Sequence, residues 1–339
     1  MNSPLSYIGH IFRKKRPIQL TFFLTRRCNA KCPFCFYLRN RRETINCHSE
    51  LSLKEIERIS RSMGNLLWIV FSGGEIYLRK DLVETSITFY KNNKPAILTY
   101  PTNGLLPEVI KEKTEDILKH CRKSVVVVKL SLDGLGDAHD ALRQTPGNFE
   151  KLMQTYEALG GLLDKYSNLE IGINTLFCSE NQDRMNGSNG IIEFVQGLNK
   201  VRTHTISMVR GELKEEQYKK IDLKQYDKAI RALEKNLKKP HARVYRFKGG
   251  RFKAVQDNLQ RRLIYQTMSG KRRLIPCYAG RLNLVLTETG DLYPCELSDQ
   301  KIGNVRDFDC DVKRILQSAR AKKVIEAIEA EECYCSHEC

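Results

Sequence analysis

Three cysteines on one short loop constrain this chain more than any other feature. Cys28, Cys32 and Cys35 have Cys-x3-Cys-x2-Cys spacing and follow an apolar, strand-like segment, residues 18–25. A cubane iron–sulfur cluster takes four cysteine ligands, so three thiolates on one loop would leave one iron open to another molecule. Zinc is the alternative, but a structural zinc site is closed by four ligands and is usually built from two closely spaced cysteine pairs. The spacing therefore favours a cluster with an open iron.

A Gly-Gly-Glu segment follows the next apolar run. Gly73, Gly74 and Glu75 come almost directly after residues 66–71, which are strand-like. Glycines at a strand end permit positive φ and a close approach of the backbone to a ligand. A carboxylate there can accept charge-assisted hydrogen bonds from an ammonium group. Without the cysteine loop, the same residues would be interpreted as a Gly-Gly turn with a solvated carboxylate.

Two more polar motifs stand at the ends of strand-like runs. Thr-Asn-Gly at 102–104 and Ser-Leu-Asp-Gly at 131–134 follow the apolar runs 96–101 and 125–130. The carboxyl ends of parallel strands carry the active sites of barrels and open α/β sheets. Asn103, Ser131 and Asp133 are therefore candidate site residues, although Ser-Leu-Asp-Gly can equally form a plain turn.

Taken together, these motifs resemble those of the radical S-adenosylmethionine (SAM) superfamily, and they occur in the family's order. The resemblance implies a [4Fe–4S] cluster bound by the three N-terminal cysteines, whose open iron binds the amino and carboxylate groups of SAM. It implies reductive cleavage of SAM to a 5′-deoxyadenosyl radical that abstracts a hydrogen atom from substrate. It also implies an electron donor such as flavodoxin or ferredoxin. The family often has proline after the Gly-Gly-Glu segment, where this chain has Ile76.

The same resemblance assigns cofactor contacts to particular residues. The Gly-Gly-Glu segment would hold the SAM amino group, and Ser131 and Arg143 are candidates for the SAM carboxylate. Asp133 would lie nearby, and Asn103 belongs to the same cofactor-binding set. Phe34 would pack near the adenine. Without the resemblance, Arg143 would be interpreted as a surface cation.

A second cysteine set lies in the last quarter of the chain. Cys277 and Cys295 flank a glycine in a Cys-x12-Gly-x4-Cys pattern, and Cys333, Cys335 and Cys339 follow with Cys-x-Cys-x3-Cys spacing. The first part resembles the opening of a SPASM or shorter Twitch module, which carries auxiliary iron–sulfur clusters in a radical SAM subgroup. Because the later half has only three cysteines, the resemblance implies one auxiliary [4Fe–4S] cluster rather than two.

The ligands of that auxiliary cluster are not fully specified by the sequence. The first-choice set is Cys277, Cys295, Cys335 and Cys339. Cys333 is the spare, because the Cys-x3-Cys spacing favours Cys335. His337 is a further ligand candidate, since imidazoles ligate some clusters. Zinc is a stronger rival here than at the first site, because four or five closely set thiolates can form a closed tetrahedral site.

Composition restricts the compartment and the partners. Twelve cysteines without a secretory signal favour a reducing compartment, where thiols bind metals rather than form disulfides. No apolar run is long enough to span a bilayer, so we expect a cytoplasmic protein. The formal net charge of +17 favours association with anionic substrates or surfaces, including lipid headgroups and RNA. A solvated basic surface accounts for the charge equally well.

The first two-thirds of the chain alternates strand-like and helix-like segments. Six such units predict a parallel sheet with right-handed crossovers. The resemblance makes this a partial (β/α)6 TIM-type barrel, whereas alternation alone also permits an open doubly wound sheet. The predicted strands cover residues 18–25, 66–71, 96–101, 124–132, 169–177 and 203–209. The predicted helices cover residues 52–63, 81–92, 106–121, 148–166, 190–200 and 212–238.

A chain of 339 residues suits one large domain with a small extension. We expect a basic N-terminal segment over 1–17, a radical SAM core over 18–239 and a SPASM/Twitch-like auxiliary cluster domain over 240–339. Beyond residue 240 the sequence predicts basic loops, a short hairpin over 282–294 and a last helix over 312–330.

Few residues outside the two cysteine sets are candidates for acting on a substrate. Cys178 follows the fifth predicted strand, where barrel enzymes carry catalytic groups, and a thiol can donate a hydrogen atom to a substrate radical. A small buried apolar residue is the alternative. Further pocket candidates, by position alone, are Asn174, Arg210, Glu212 and Tyr293. Cys47, Cys121 and Cys310 fit neither cysteine set and are interpreted as structural.

The substrate is the most open question. The preferred hypothesis is oxidation or epimerisation of a small molecule or glycoside, because a single-cluster module is more like the Twitch members that act on small molecules. Maturation of a ribosomally made peptide is the first alternative, and modification of lipid or RNA is the second. The third alternative is a non-catalytic interaction protein that binds zinc.

Overall fold

The computed structural model describes residue 14 and residues 16–38, 49–239, 242–247, 249–330 and 334–336. These residues form one sheet of nine strands with helices packed against it. The strands are β1 (Gln19–Thr25), β2 (Trp68–Gly73), β3 (Ile97–Thr102), β4 (Val125–Ser131), β5 (Leu169–Phe177), β6 (Thr203–Met208), β7 (Asn283–Leu286), β8 (Asp291–Tyr293) and β9 (Gly303–Asn304). The helices are α1 (Leu53–Met63), α2 (Leu82–Asn93), α3 (Pro107–His120), α4 (Asp137–Leu142), α5 (Asn148–Gly160), α6 (Ile191–Gly197), α7 (Leu223–Leu237), α8 (Gly250–Gly270), α9 (Val312–Gln317) and α10 (Ala319–Ala330).

The strand order decides between the two predicted architectures. The order is β6-β5-β4-β3-β2-β1-β7-β8-β9, and β1 to β6 pair in parallel with their sequence neighbours. A doubly wound sheet reverses its order at a switch point, whereas here each new strand adds on the same side. The order is that of a partial (β/α)6 barrel, and all six predicted parallel strands are confirmed.

The parallel strands form because their residues are buried on both faces. In β4, the run of four valines is buried throughout, and in β1 six of seven residues are buried. Strands covered on both faces read as continuous apolar runs, and β-branched residues suit them. The core on the helix side is built around these strands and includes Phe22, Phe71 and Tyr100. This core fixes the strand ends, where the site lies.

Helix ends follow local capping chemistry. Ser52 and Glu55 form the predicted capping box at the start of α1, with reciprocal side-chain to backbone hydrogen bonds. At α7, the Asp222 side chain accepts from Lys224 N, so the helix begins at Leu223 and not at residue 212. Residues before it include a 3₁₀ turn, Glu216–Lys219. The prediction for 212–238 was therefore too long at its amino end.

The segment after residue 240 contains a long helix that the sequence did not predict. Residues 250–270 form α8, where basic loops were expected. Its apolar residues Phe252, Val255 and Leu259 are 79%, 58% and 57% exposed, so they do not mark a buried stripe. The glycines at its start and the surrounding basic residues resemble loop composition. The prediction was wrong because the large apolar residues of this helix are exposed, so their spacing does not show the helical pattern of a buried face.

The C-terminal strands extend the same sheet. Strand β7 pairs with β1 in parallel, and β8 and β9 follow in antiparallel pairing. The predicted hairpin is confirmed, with Gly290 at φ 90° in its turn. The predicted last helix is divided at Ser318 into α9 and α10. No helix in the described part of the chain has the length and apolar character needed to cross a membrane.

Candidate active site

The cysteine loop leaves the carboxyl end of β1. Cys28, Cys32 and Cys35 are half-buried, and no disulfide joins them. The pKa of Cys28 is raised to about 11, mainly by burial and also by the nearby charges of Glu75, Cys32 and Cys35, whereas a backbone hydrogen bond from Ala30 lowers it. The three thiols therefore lie close enough to one another to interact electrostatically. A bound metal ion would lower the pKa of these thiols instead, since a metal stabilises the thiolate.

The two glycines hold the cysteine loop against β2. The Gly74 backbone N–H donates to Thr25 O at 2.7 Å, and that of Glu75 donates to Arg27 O at 2.8 Å. A Cβ on Gly73 would lie 2.5 Å from Thr25 O, and one on Gly74 would lie 2.1 Å from Arg27 O. Gly73 also has φ of +127°. Glycine is required here because the loop backbone occupies the space of a side chain.

The Glu75 carboxylate joins the ends of β2 and β3. It is 1% exposed, and it accepts from Asn103 N at 2.8 Å, Thr102 Oγ1 at 2.9 Å and Tyr77 N at 3.3 Å. Burial raises its pKa, whereas these hydrogen bonds and the charge of Arg143 lower it. A carboxylate offers about four acceptor positions, so one position is left for a ligand ammonium.

Asn103 connects β3 to the cysteine loop. Its Nδ2 donates to Asn29 Oδ1 at 2.8 Å and lies 3.9 Å from Cys28 Sγ. Its backbone oxygen accepts from Asn148 Nδ2 at 2.8 Å. The predicted site residue is therefore buried beside the first cysteine, with its amide aimed at the loop.

Asp133 and Arg143 form a buried ion pair after β4. Arg143 Nη1 donates to Asp133 Oδ2 at 2.5 Å, and Leu176 N donates to Asp133 Oδ1 at 2.8 Å. Burial lowers the pKa of Arg143, but Cys32 and Asp133 outweigh that effect and hold it above its ordinary value. Arg143 Nε is buried and has no acceptor in the described part of the chain. Arg143 is not the solvated cation of the alternative interpretation.

Phe34 and Cys178 share an apolar cluster beneath the loop. The cluster consists of Phe34, Cys178, Val209, Leu213 and Tyr218, and Cys32 packs against it. The Phe34 and Tyr218 rings meet edge to face, with centroids 5.8 Å apart. Burial raises the pKa of Cys178 to about 12.

The Cys178 thiol is held by a neighbour. Asn181 Oδ1 lies 3.6 Å from Cys178 Sγ and accepts the Cys178 backbone N–H at 3.0 Å. Cys178 is fully buried. The geometry suits a packing residue, and a role as hydrogen donor stays a prediction.

Several charged residues around the loop were not found from the sequence. Glu288, which follows β7, accepts a hydrogen bond from Tyr37 and lies 4.0 Å from Arg26 Nε. Glu50 accepts from Thr25 Oγ1 at 2.5 Å. These pairs join residues about 25 and 250 positions apart, and neither lies in a recognisable motif. No local sequence signal could have identified them.

The second cysteine set is partly described. The pKa of Cys295 is raised to about 11, mainly by burial and also by nearby Cys277 and Cys335, whereas backbone hydrogen bonds from Leu297 and Ser298 lower it. The structure therefore places the thiols of Cys277, Cys295 and Cys335 close to one another. Cys333, His337 and Cys339 lie outside the described residues, so the choice between Cys333 and Cys335 stays a prediction. Cys47 lies outside them too.

Other predicted residues link the two cysteine sets. Arg210, after β6, donates from Nη2 to Glu296 Oε2 at 3.0 Å, and Glu296 adjoins Cys295. The Arg210 guanidinium also lies over the Phe36 ring at 5.9 Å, and Phe36 adjoins Cys35. Tyr293 ends β8. Cys121 and Cys310 are buried, as expected of structural residues.

The described residues around the cysteine loop are compatible with the implied cluster. Within the described ranges, no three cysteine, histidine, aspartate or glutamate side chains are arranged to hold a single ion. In a cubane cluster each cysteine binds a different iron, so its ligands need not converge on one point. The unpartnered Arg143 Nε beside the thiols suits the carboxylate of SAM. The N-terminal residues thus fit both the cluster and its cosubstrate.

A family model matches the stretch of the chain that carries the cysteine loop. Residues 22–176 match the family model described as the Radical SAM superfamily. This part of the chain is therefore similar to the radical SAM superfamily, as the motifs predicted. The matched range runs from β1 to β5 and contains the cysteine loop, Glu75, Asn103 and the Asp133 to Arg143 pair.

Curated relatives match over a similar range. Fe-coproporphyrin III synthase of Methanosarcina barkeri is 32% identical over 152 residues, which are 44% of this chain and 35% of that protein. The antilisterial bacteriocin subtilosin biosynthesis protein AlbA of Bacillus subtilis is 31% identical over 145 residues, 42% of this chain and 30% of that protein. The chain spans about a third of the length of these relatives.

A solved structure shows the same fold over nearly the whole chain. Streptococcus suis SuiB bound to S-adenosylmethionine aligns with a TM-score of 0.64 and 17% identity, covering 94% of this chain and 71% of that chain. At this identity the likeness concerns the fold. It confirms an α/β architecture with a parallel sheet, consistent with the partial barrel.

Proposed function

We propose that this chain is a radical SAM enzyme that abstracts a hydrogen atom from a small molecule. Cys28, Cys32 and Cys35 would bind a [4Fe–4S] cluster, leaving one iron for SAM. When bound, the cluster supplies the electron for reductive cleavage of SAM to a 5′-deoxyadenosyl radical. The observation that carries this proposal is the buried Arg143 guanidinium, with an unpartnered Nε, in electrostatic reach of Cys28 and Cys32.

The residues around the loop can orient SAM. Arg143 would bind the SAM carboxylate, with half-buried Ser131 as a second donor at the end of β4. Glu75 would accept from the SAM ammonium through its remaining acceptor position. Asp133 holds the Arg143 guanidinium in place at 2.5 Å and would not touch SAM. Phe34 would present an apolar ring to the adenine.

The substrate proposal rests on the second face of the sheet. Val126, Val128 and Leu130 of β4 belong to the helix-side core, so Lys129 faces the other way. Lys129 Nζ donates to Thr205 Oγ1 of β6 at 2.9 Å.

More polar groups lie on this second face. Ser207 Oγ donates to Asn174 Oδ1 at 3.2 Å. A face lined by hydroxyl, amide and ammonium groups suits a hydroxyl-rich molecule such as a sugar or glycoside. Oxidation or epimerisation of such a substrate is the reaction type we favour.

Peptide maturation is the second candidate function. AlbA, matched at 31% identity, is named as a bacteriocin biosynthesis protein. Fe-coproporphyrin III synthase, matched at 32% identity, is named for a small-molecule product. The two names support different substrate classes, so the polar face decides our preference.

The proposal includes one auxiliary [4Fe–4S] cluster and an external electron donor. Cys277, Cys295, Cys335 and Cys339 would bind the cluster, and flavodoxin or ferredoxin would supply electrons. The neighbourhood of Cys277, Cys295 and Cys335 supports this assignment. The Arg210 to Glu296 ion pair would keep the second cluster near the carboxyl ends of the strands.

Cleavage of SAM is tested with anaerobically reconstituted protein, SAM and dithionite, with 5′-deoxyadenosine measured by chromatography. The wild-type protein should release it, Cys32→Ala should not, and Cys121→Ala should retain release because that thiol lies outside both cysteine sets. A wild-type protein that carries zinc and leaves SAM intact would refute the proposal.

The substrate class is tested by deuterium transfer into 5′-deoxyadenosine from perdeuterated sugars and glycosides, with perdeuterated peptides in parallel. Transfer from a sugar or glycoside supports the preferred class. Transfer from a peptide alone would establish the second candidate instead.

A further inference from the structure

A cavity of about 460 Å³ lies beside the free edge of β6, apart from the cysteine loop. It is enclosed by β6, α6, α7, α8 and the segment 242–245. Thr203 and His204, at the start of β6, line it, whereas the cysteine loop lies at the carboxyl ends of the strands. A strand of six residues is about 20 Å long, so the cavity and the cysteine loop stand at opposite ends of the sheet.

The described wall of this cavity is strongly cationic. Four basic residues line it: Arg202, Lys239, Arg243 and Arg261. Among the described lining residues, one is acidic, and it is Asp257. Its carboxylate is already engaged, since Tyr245 OH donates to it at 3.0 Å and Lys253 forms an ion pair with it. The buried carboxylate of Glu170 also lies in electrostatic reach of Arg202 and offsets part of its charge, so the wall keeps a net positive charge that comes mainly from Lys239, Arg243 and Arg261.

Two arginine nitrogens at this wall lack an acceptor. Arg261 is 5% exposed. It donates from Nη1 to Asn258 Oδ1 at 2.7 Å and from Nη2 to His204 O at 3.2 Å. Its Nε, and that of Arg202, are buried and without a hydrogen-bond partner within the described ranges. A buried unsatisfied donor is unfavourable, and more so when it is charged, so an anion in the cavity would remove this penalty.

His204 adds an acceptor to the same wall. Thr175 Oγ1 lies 2.7 Å from Leu132 O and 2.8 Å from His204 Nε2. The single hydroxyl proton of Thr175 is given to the Leu132 carbonyl, so His204 Nε2 carries the proton of the second bond. Burial, with Arg261 and Lys129 nearby, lowers the pKa of His204 to about 3. Its Nδ1 is therefore a bare acceptor, and it is buried without a partner.

We propose that this cavity binds a phosphate-bearing small molecule that also carries a hydroxyl group. Arg202 and Arg261 would bind the phosphate oxygens, since guanidinium groups match phosphate geometry. The ligand hydroxyl would donate to His204 Nδ1. The cavity volume lies within the roughly 300–1,000 Å³ of small-molecule sites. Because the site stands at the far end of β6 from the cysteine loop, it is separate from the proposed active site.

Isothermal titration of the full-length, cluster-loaded protein tests the phosphate contact, with inorganic phosphate as the probe at constant ionic strength. The wild type should bind one phosphate per chain at this site. Arg202→Gln should weaken binding by about tenfold, because a charge-assisted contact is lost. Arg231→Gln is the matched control, since Arg231 lies on α7 and pairs with Asp227 in an exposed ion pair, and it should bind as the wild type does.

Two further measurements complete the test. Ala254→Leu, which fills the cavity without changing charge, should abolish phosphate binding. Glycerol 3-phosphate should bind more tightly than inorganic phosphate, and glycerol alone should not bind. Equal affinities for the two phosphates would overturn the hydroxyl contact. Absent phosphate binding, or binding unchanged in both Arg202→Gln and Ala254→Leu, would overturn the site and assign any binding to the basic surface. None of these readouts requires cleavage of SAM.

Discussion

Arg143 and Asp133 lie in hydrogen-bond contact, with Nη1 2.5 Å from Oδ2, and both side chains are nearly inaccessible to solvent at 8% and 2% exposed. The pair ties the end of β4 to the residue after α4. Asp133 also accepts the backbone N–H of Leu176 in β5. The aspartate thus positions a guanidinium that faces the cysteine loop, and its own role is to hold a neighbour in place.

Removing the Asp133 carboxylate should leave the buried charge of Arg143 without its partner. We expect Asp133→Ala to lower the free energy of unfolding by about 3 kcal/mol, since breaking a buried ion pair typically costs 3–5 kcal/mol. Urea denaturation of the anaerobic protein measures this. Asp116→Ala is the control, because Asp116 pairs with Lys119 on the exposed face of α3 and should leave stability unchanged. A loss below about 1 kcal/mol for Asp133→Ala would mean that Arg143 is not held as described.

Gly74 should control iron binding through the shape of the cysteine loop. In Gly74→Ala the new Cβ would meet Arg27 O at 2.1 Å, so the loop backbone must move. We expect the variant to lose about four irons per chain, the content of one cubane cluster. Gly161→Ala is the matched control, because its Cβ would lie 3.5 Å from the nearest atom outside its chain neighbours. A Gly74→Ala protein with unchanged iron and SAM affinity would contradict this role.

The sequence predicted the parts of the site that depend on local chemistry. Cysteine spacing, the Gly-Gly-Glu segment and the strand-end motifs are short-range features, and the structure places Glu75, Asn103 and Asp133 at neighbouring strand ends. The alternation of strands and helices predicted the six parallel strands for the same reason. Burial on both faces requires apolar runs, which can be recognised without knowing the fold.

The remaining features depend on contacts between distant segments. The partners Tyr37 and Glu288 are 251 positions apart, and neither belongs to a motif. Helix α8 was missed because three of its large apolar residues are exposed, so periodicity and burial disagree. The cationic cavity forms only when α8 packs beside β6. Tertiary context of this kind leaves no signal in a single sequence.

His139 should make stability depend on pH. Its Nδ1 accepts the Asp133 backbone N–H at 3.2 Å, and burial, with Arg143 nearby, lowers its pKa from 6.5 to about 4. Between these values the unfolded chain binds a proton that the folded chain excludes, so stability is full above pH 6.5 and falls as the pH decreases through this window. From pH 7 to 5.5 we expect a loss of about 1 kcal/mol from this residue.

A variant comparison separates His139 from other titrating groups. Asparagine can keep the acceptor near Nδ1 but cannot take up the proton, so His139→Asn should lose about 1 kcal/mol less than the wild type over the same pH range. His120→Asn changes an exposed histidine and should retain the wild-type dependence. Identical pH profiles for wild type and His139→Asn would show that His139 does not exclude a proton.

The auxiliary cluster should be visible in the iron content. Reconstituted wild-type protein should carry about eight irons per chain, the content of two cubane clusters. Cys295→Ala should retain about four, together with SAM binding, because Cys295 lies with Cys277 and Cys335 and belongs to the second cysteine set. Cys310→Ala is the control, since this buried cysteine belongs to neither set. A wild-type content near four would remove the auxiliary cluster from the proposal.

Variants can then distinguish the two candidate ligands Cys333 and Cys335. Cys335 contributes to the electrostatic environment of Cys295, so Cys335→Ala and Cys339→Ala should each lose the auxiliary iron, whereas Cys333→Ala should retain it. Mössbauer spectra of the reconstituted variants distinguish an intact cubane from partial loss. If Cys333→Ala loses the cluster and Cys335→Ala keeps it, the spare and the ligand exchange roles. If both variants keep it, one thiolate can replace the other.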